Sequence, residues 1–157
     1  MEKINKKDIR LQTKEALQDF FVSHGAPSFK GGQVYQWLWQ KGAHDFDIMT
    51  NLSLEHRNIL KSYFEIKHIN IDAEQRSSDG TIKNAVKLHD QLVVESVLIP
   101  TASRTTACVS TQVGCSLDCK FCATARLKKM RNLNPDEIYD QVKAIDQESK
   151  LYHSRPL

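Results

Sequence analysis

Four cysteines, Cys108, Cys115, Cys119 and Cys122, fall within fifteen residues, and the last three are spaced C-x3-C-x2-C. Cysteines packed this closely point to metal or redox chemistry. Met1 to Lys14 carries basic residues with no apolar stretch behind them, so no signal peptide is read there. A disulfide framework is therefore not expected, and the cytoplasm is the natural compartment. A C-x3-C-x2-C loop can wrap three thiolates around one cubane iron–sulfur cluster. Three ligands for four irons leave one iron open, and an open position makes a metal centre reactive rather than structural. The alternative is a zinc site that recruits Cys108 as fourth ligand. Zinc sites usually pair their ligands as two short knuckles separated by a longer loop, and here only one tight group exists.

The cysteines lie late in a chain of changing periodicity. Thr13 can cap a helix with Leu17, Phe20 and Phe21 on one face, ended by Gly25. Ser28 can cap a second, bearing Val34, Trp37 and Leu38 and stopped at Gly42. Ser53 can open a third, with Ile59, Leu60 and Tyr63 at helical spacing. These stripes read as core. From His68 the period becomes two: Ile69, Ile71 and Ala73 alternate with polar residues, and Asp79-Gly80 signals a hairpin. Ile82, Asn84, Val86 and Leu88 form one face of a returning strand. His89-Asp90 turns the chain into the strand Leu92 to Ile99, which Pro100 ends. A three-stranded antiparallel meander is predicted. Thr105 to Ser110 is a further short strand, followed by the cysteine loop. A helix then starts at Asn134-Pro135-Asp136-Glu137, with Ile138, Val142 and Ile145 as its apolar stripe. Strand, loop and helix make one βα unit, which cannot form a barrel alone. The predicted fold is α+β: a helical accessory domain over 1–66, an antiparallel meander over 67–100, and the start of a larger core domain over 101–157.

Apolar residues make up 40% and charged residues 26%, an ordinary globular composition. The formal charge of +3 is too small to imply a nucleic-acid partner by itself, so charge placement must carry that argument. Arg126, Lys128, Lys129 and Arg131 crowd beside the cysteines, a patch that can pair with RNA phosphates or serve as solvated surface. Arg76 and Lys83 flank the hairpin turn and are further candidates for RNA contact. No run approaches the roughly 20 apolar residues that a membrane helix needs.

Three segments in order carry a resemblance. Gln112-Val113-Gly114-Cys115-Ser116-Leu117-Asp118-Cys119-Lys120-Phe121-Cys122-Ala123-Thr124, followed by Arg131-Asn132-Leu133, resembles the cluster loop of the RlmN family. These are dual-specificity 23S rRNA and tRNA adenine-C2 methyltransferases of the radical S-adenosylmethionine (SAM) superfamily. Glu74-Gln75-Arg76-Ser77-Ser78-Asp79-Gly80-Thr81 resembles that family's hairpin, and Val94-Glu95-Ser96-Val97-Leu98-Ile99-Pro100 resembles the strand before its core. The chain departs from the pattern at Ala125 to Met130, where the family often has a glycine.

The resemblance implies that Cys115, Cys119 and Cys122 hold a [4Fe–4S] cluster whose open iron binds SAM. It implies RNA binding by the helical N-terminal part, and an electron donor such as flavodoxin. It assigns Glu95 the role of proton acceptor. Read from the residues alone, Glu95 is one carboxylate in a strand rich in Val, Leu and Ile. Apolar surroundings raise a carboxylate's pKa and suit a general base, although an edge-strand charge that blocks aggregation would look the same. Cys108 is assigned thiol exchange with a methyl-carrying cysteine, which needs an accessible thiolate; a small buried strand residue is the other reading. Phe121 either packs on the cofactor's adenine or shields the cluster. Nothing after Cys122 is cysteine, and no Gly-Glu-Pro type segment follows the last helix. The expectation is a fragment that does not complete methylation alone. Two alternatives stay open: a methyltransferase of adenine C8 of the antibiotic-resistance type, and a non-catalytic metal-bearing RNA-binding module.

Overall fold

A computed structural model of the chain describes residues 6–117, 119–122 and 124–157, and for Ala125 the backbone alone. Asp118 and Ala123 of the cysteine segment lie outside the described residues. The chain divides into two compact units, Met1–Lys67 and His68–Leu157.

The first unit is helical. A short strand β1 (Lys7–Asp8) pairs in parallel with β2 (Phe64–Glu65). Between them lie α1 (Lys14–Ser23), α2 (Phe29–Trp39) and α3 (Leu54–Tyr63). Thr13 and Ser53 cap α1 and α3 by accepting from Ala16 N–H and His56 N–H at 3.1 and 3.2 Å. Ser28 makes no such side-chain bond; its own backbone is already helical, so its hydroxyl is not aimed at the turn above. Leu17, Phe21, Val34, Leu38, Met49 and Leu60 are buried together, as their spacing predicts. Tyr63 departs from its predicted stripe and is half exposed. At Gly31 a Cβ would lie 2.4 Å from Gln18 N, so α1 and α2 meet main chain to main chain where only glycine fits.

The second unit is a sheet with one long helix. β3 (Asn70–Arg76), β4 (Ile82–Lys87), β5 (Val93–Pro100) and β6 (Thr105–Cys108) form one antiparallel sheet in sequence order. The meander therefore has four strands and not three. Thr105–Cys108, read from sequence as opening a parallel βα unit, pairs antiparallel with β5 in the register Val97↔Cys108 to Pro100↔Thr105. The turn between them explains this: Thr101 N–H donates to Arg104 C=O at 2.8 Å, too tight a reversal for any crossover. β7 (Gln112–Val113) and β8 (Arg131–Asn132) pair as a separate two-stranded ladder, and α4 (Pro135–His153) follows.

Helix α4 covers one sheet face. Ile145 packs with Ile82 and Leu98, and Ile138 packs with the cluster of Val86, Val94, Val113 and Leu133. The buried stripe of α4 is largely polar: Glu137, Gln141, Ile145 and Ser149 recur every fourth residue, whereas Val142 of the predicted apolar stripe is exposed. Each polar member needs partners to lie there. Gln141 supplies them to a loop: its Oε1 accepts from Ser110 N–H at 2.9 Å and its Nε2 donates to Ser110 C=O at 3.0 Å. No helix among the described residues is long and apolar enough to cross a membrane.

Candidate active site

The strand period of two sorts the sheet into faces. Ile82, Asn84, Val86, Val94, Ser96 and Leu98 point to α4 and are buried. Lys83, Glu95, Val97 and Cys108 occupy the opposite face. The pairings Lys83↔Val97↔Cys108 run straight across β4, β5 and β6, and Glu95 sits two residues from Val97. Glu95 and Cys108 are thus diagonal neighbours on one sheet face, and both are exposed. Lys83 Nζ lies 3.2 Å from Glu95 Oε1. Glu95 is exposed: Val94, Ser96 and Leu98 alternate onto the covered face, while Val93 and Val97 share its open face. Cys108 corrects its alternative in the same way, being an exposed thiol and not a buried strand residue.

The loop from Gly114 to Met130 carries Cys115, Cys119 and Cys122. The β7–β8 ladder closes its base, and Met130 N–H adds a bond to Val113 C=O at 2.9 Å. Above it, Cys115 N–H donates to Leu127 C=O at 3.0 Å, and Cys115 bridges to Lys128 in parallel. Gly114 makes this possible: its φ is +70°, and a Cβ there would lie 2.3 Å from the Lys128 carbonyl oxygen. All three loop cysteines are half-buried, and none of the four cysteines is in a disulfide. Leu117 N–H lies 3.4 Å from Cys115 Sγ, a donor contact of the sort that tunes cluster thiolates. Among the described residues, no three His, Cys, Asp or Glu side chains converge at metal distance. The donor set fits an iron–sulfur cluster: Cys115, Cys119 and Cys122 put three soft thiols on one pinned loop.

Phe121 is 94% exposed, and Leu117, Leu127 and Met130 on the same loop are also exposed. Arg126, at the end of a short 3-10 turn, and Lys128 and Lys129 face solvent beside them. Arg131, read with these as a phosphate contact, is otherwise employed. Its guanidinium holds both Glu137 oxygens at 2.7 and 2.8 Å and Asp90 Oδ2 at 2.7–2.8 Å. Arg76 is also engaged, by Glu74 and by the Tyr152 ring 3.7 Å away, and Lys83 is engaged by Glu95. A carboxylate lies within reach of each of these three cations.

Glu137 is almost fully buried. Burial opposes its ionisation, but the Arg131 guanidinium and the Asn134 N–H at 2.8 Å outweigh it, and the carboxyl lies below its ordinary pKa. His89 Nδ1 is 3.2 Å from the same group. Asp90 is likewise lowered, its partial burial outweighed by Arg131 and by the Leu92 N–H. This network ties the exit of the cysteine loop to the β4–β5 turn and to the start of α4. The sequence marks Glu137 as a helix-capping acid and Asp90 as a turn residue; their shared partner has no signal in local spacing.

Residues 8–66 match the family model described as "Ribosomal RNA large subunit methyltransferase N-terminal domain". Over 155 residues the chain is 73% identical to the probable dual-specificity RNA methyltransferase RlmN of Christiangramia forsetii, covering 99% of this chain and 44% of that protein. The chain is similar to the N-terminal portion of RlmN-family proteins. The dual-specificity RNA methyltransferase RlmN of Wigglesworthia glossinidia brevipalpis is 43% identical over 141 residues, 89% of this chain and 37% of that protein. A crystal structure of a radical SAM methyltransferase from Sphaerobacter thermophilus aligns with a TM-score of 0.77 at 32% identity, over 96% of this chain and 44% of that one. The chain spans less than half the length of these RlmN-family relatives, and corresponds to their N-terminal portion.

Proposed function

We propose that this chain supplies the RNA-binding and cluster-binding part of a radical SAM methyltransferase that methylates C2 of adenine in 23S rRNA and tRNA. The observation that carries the reading is the juxtaposition of Glu95 and Cys108 on one exposed sheet face, in the chain that also bears the three-thiol loop. Cys115, Cys119 and Cys122 would hold a [4Fe–4S] cluster. With SAM and an electron donor such as flavodoxin, that cluster would supply the radical chemistry that a non-nucleophilic carbon such as adenine C2 requires.

The chain's own residues then have separate tasks. Glu95 takes the proton from the ring carbon that has gained the methyl group. Lys83, with its Nζ 3.2 Å from Oε1, holds that carboxylate in place. Cys108 provides the thiolate for the exchange that frees the product, and its exposure gives it the access such exchange needs. Phe121 covers the cofactor's adenine or the cluster. Arg126, Lys128 and Lys129 meet RNA phosphates. The helical segment 1–66 acts as the accessory RNA-binding domain, 67–100 as the meander, and 101–157 as the start of the barrel core, working in the cytoplasm.

The test joins this chain to the C-terminal portion of the Christiangramia forsetii relative and maps the methyl group on rRNA and tRNA by mass spectrometry. Methylation at C2, lost in Glu95→Gln and stalled as a covalent adduct in Cys108→Ala, is expected. A C8 product would assign the resistance-type activity instead. Zinc in place of iron and sulfide, with RNA still bound, would make the chain a binding module.

A further inference from the structure

The groove between α1 and α2 has a lining unlike the rest of the surface. Gln18 of α1 and Gln33, Gln36 and Gln40 on and just beyond α2 bring four amide side chains to one cavity of about 380 Å³. Phe29, more than half exposed, forms part of its wall, and Lys14 stands at its edge. Among the described residues, no carboxylate lines it. The Oε1 of Gln33 is buried without a hydrogen-bond partner. A buried amide oxygen left unpaired is costly. Gln33 lines the same cavity.

These features define a ligand. A glutamine amide offers an acceptor beside a donor, the pair that matches N6 and N7 of adenine in bidentate fashion. An exposed aromatic ring is a stacking platform for a base taken out of a helix. A lysine at the cavity edge suits the backbone phosphate. We propose that this groove holds an unpaired adenine of the RNA, as a base-recognition site in the helical unit separate from the cysteine loop. The proposal deepens the RNA-methyltransferase reading and rests on it.

Gly32 gives a clean way to close the groove. A Cβ at Gly32 would meet only Lys14 Cε at 3.6 Å, an ordinary contact, and Gly32 lines the cavity. Gly32→Leu should fill the groove and strengthen the helix, whereas Gly31 cannot be changed without forcing α1 and α2 apart. The measurement is fluorescence anisotropy of the 157-residue chain with a labelled RNA hairpin. The hairpin has one unpaired loop adenine, and its control has uridine there; both are run beside adenosine monophosphate. Side-chain amide resonances of the glutamines are followed in the same titrations. The expected result is about tenfold weaker binding of the uridine hairpin, the scale of one bidentate amide–base pair. The same loss is expected for the adenine hairpin in Gly32→Leu and Gln33→Leu, with a Gln33 amide shift in the unaltered chain alone. Equal affinity for both hairpins, untouched by Gly32→Leu, would overturn the adenine site and leave phosphate-driven RNA binding standing. Binding of the free nucleotide without either hairpin would overturn RNA as the source. Failure to bind any of the three would remove both this proposal and the RNA reading of the helical unit.

Discussion

Arg131 and Glu137 form a two-pronged ion pair, with Nη1 and Nη2 at 2.7 and 2.8 Å from the two carboxylate oxygens. Arg131 lies in the strand that leaves the cysteine loop, and Glu137 lies in the first turn of α4. A carboxylate this buried is tolerated only with its partner present. Arg131→Met should lower stability by about 3 kcal/mol, the scale for stranding one buried charge. Lys128→Ala, at a solvent-facing cation, should change it by under about 0.5 kcal/mol. Urea denaturation of the two variants checks this, and equal effects would deny Arg131 its structural role.

The same network sets an acid limit. Glu137 and Asp90 both titrate in the folded chain below their ordinary values of 4.5 and 3.8. The unfolded chain therefore binds more protons at mildly acid pH. The stability these carboxylates contribute is complete above the ordinary range, and is lost as pH falls through it toward the depressed values. Urea midpoints should fall from about pH 5 downward, and the fall should be shallower in Arg131→Met. A midpoint flat across that window would contradict the pairing.

Glu148 should behave in the opposite sense. Burial pushes its carboxyl above the ordinary 4.5, only partly offset by the Asn84 amide at 2.8 and 3.0 Å. Its ionised form is a burden at neutral pH that eases as pH falls through the raised value. Glu148→Gln keeps an acceptor for Asn84 and removes the charge. The variant should unfold at higher urea than the parent at neutral pH, and the gap should close below the ordinary value. A lower midpoint at neutral pH would mean that the charge is stabilising.

Gly114→Ala tests the base of the cysteine loop. A methyl group 2.3 Å from the Lys128 carbonyl oxygen, on a backbone with φ of +70°, must break the bridge between Cys115 and Lys128. Iron and sulfide bound after anaerobic reconstitution should fall well below parent levels, while the far-UV circular dichroism of the helices and the four-stranded sheet stays unchanged. Full iron loading would show that the pinned base is dispensable.

The sequence was most legible where a local rule suffices. Thr13 and Ser53 cap their helices, Asp79-Gly80 turns its hairpin, and Leu17, Phe21, Val34 and Leu38 enter the core as their spacing predicts. Its limits appear where partners are distant in the chain. The buried stripe of α4 is Glu137, Gln141, Ile145 and Ser149, which an apolar pattern does not reveal, because Gln141 is held by Ser110 and Glu137 by Arg131. The exposure of Glu95 follows from strand alternation, yet the apolar letters beside it suggested the reverse. Arg131 reads like its cationic neighbours until the fold brings Asp90, 41 residues away, against it.

The central claim is that Cys115, Cys119 and Cys122 hold a cluster with one open iron. The measurement that tests it most directly is electron paramagnetic resonance of the chain, reconstituted anaerobically with iron and sulfide and reduced, with and without SAM. A [4Fe–4S] signal that changes when SAM is added, and that is lost when any one of the three cysteines is replaced by alanine, is the expected result. Zinc in the reconstituted chain with no cluster signal, or a cluster that survives replacement of a loop cysteine, would contradict it.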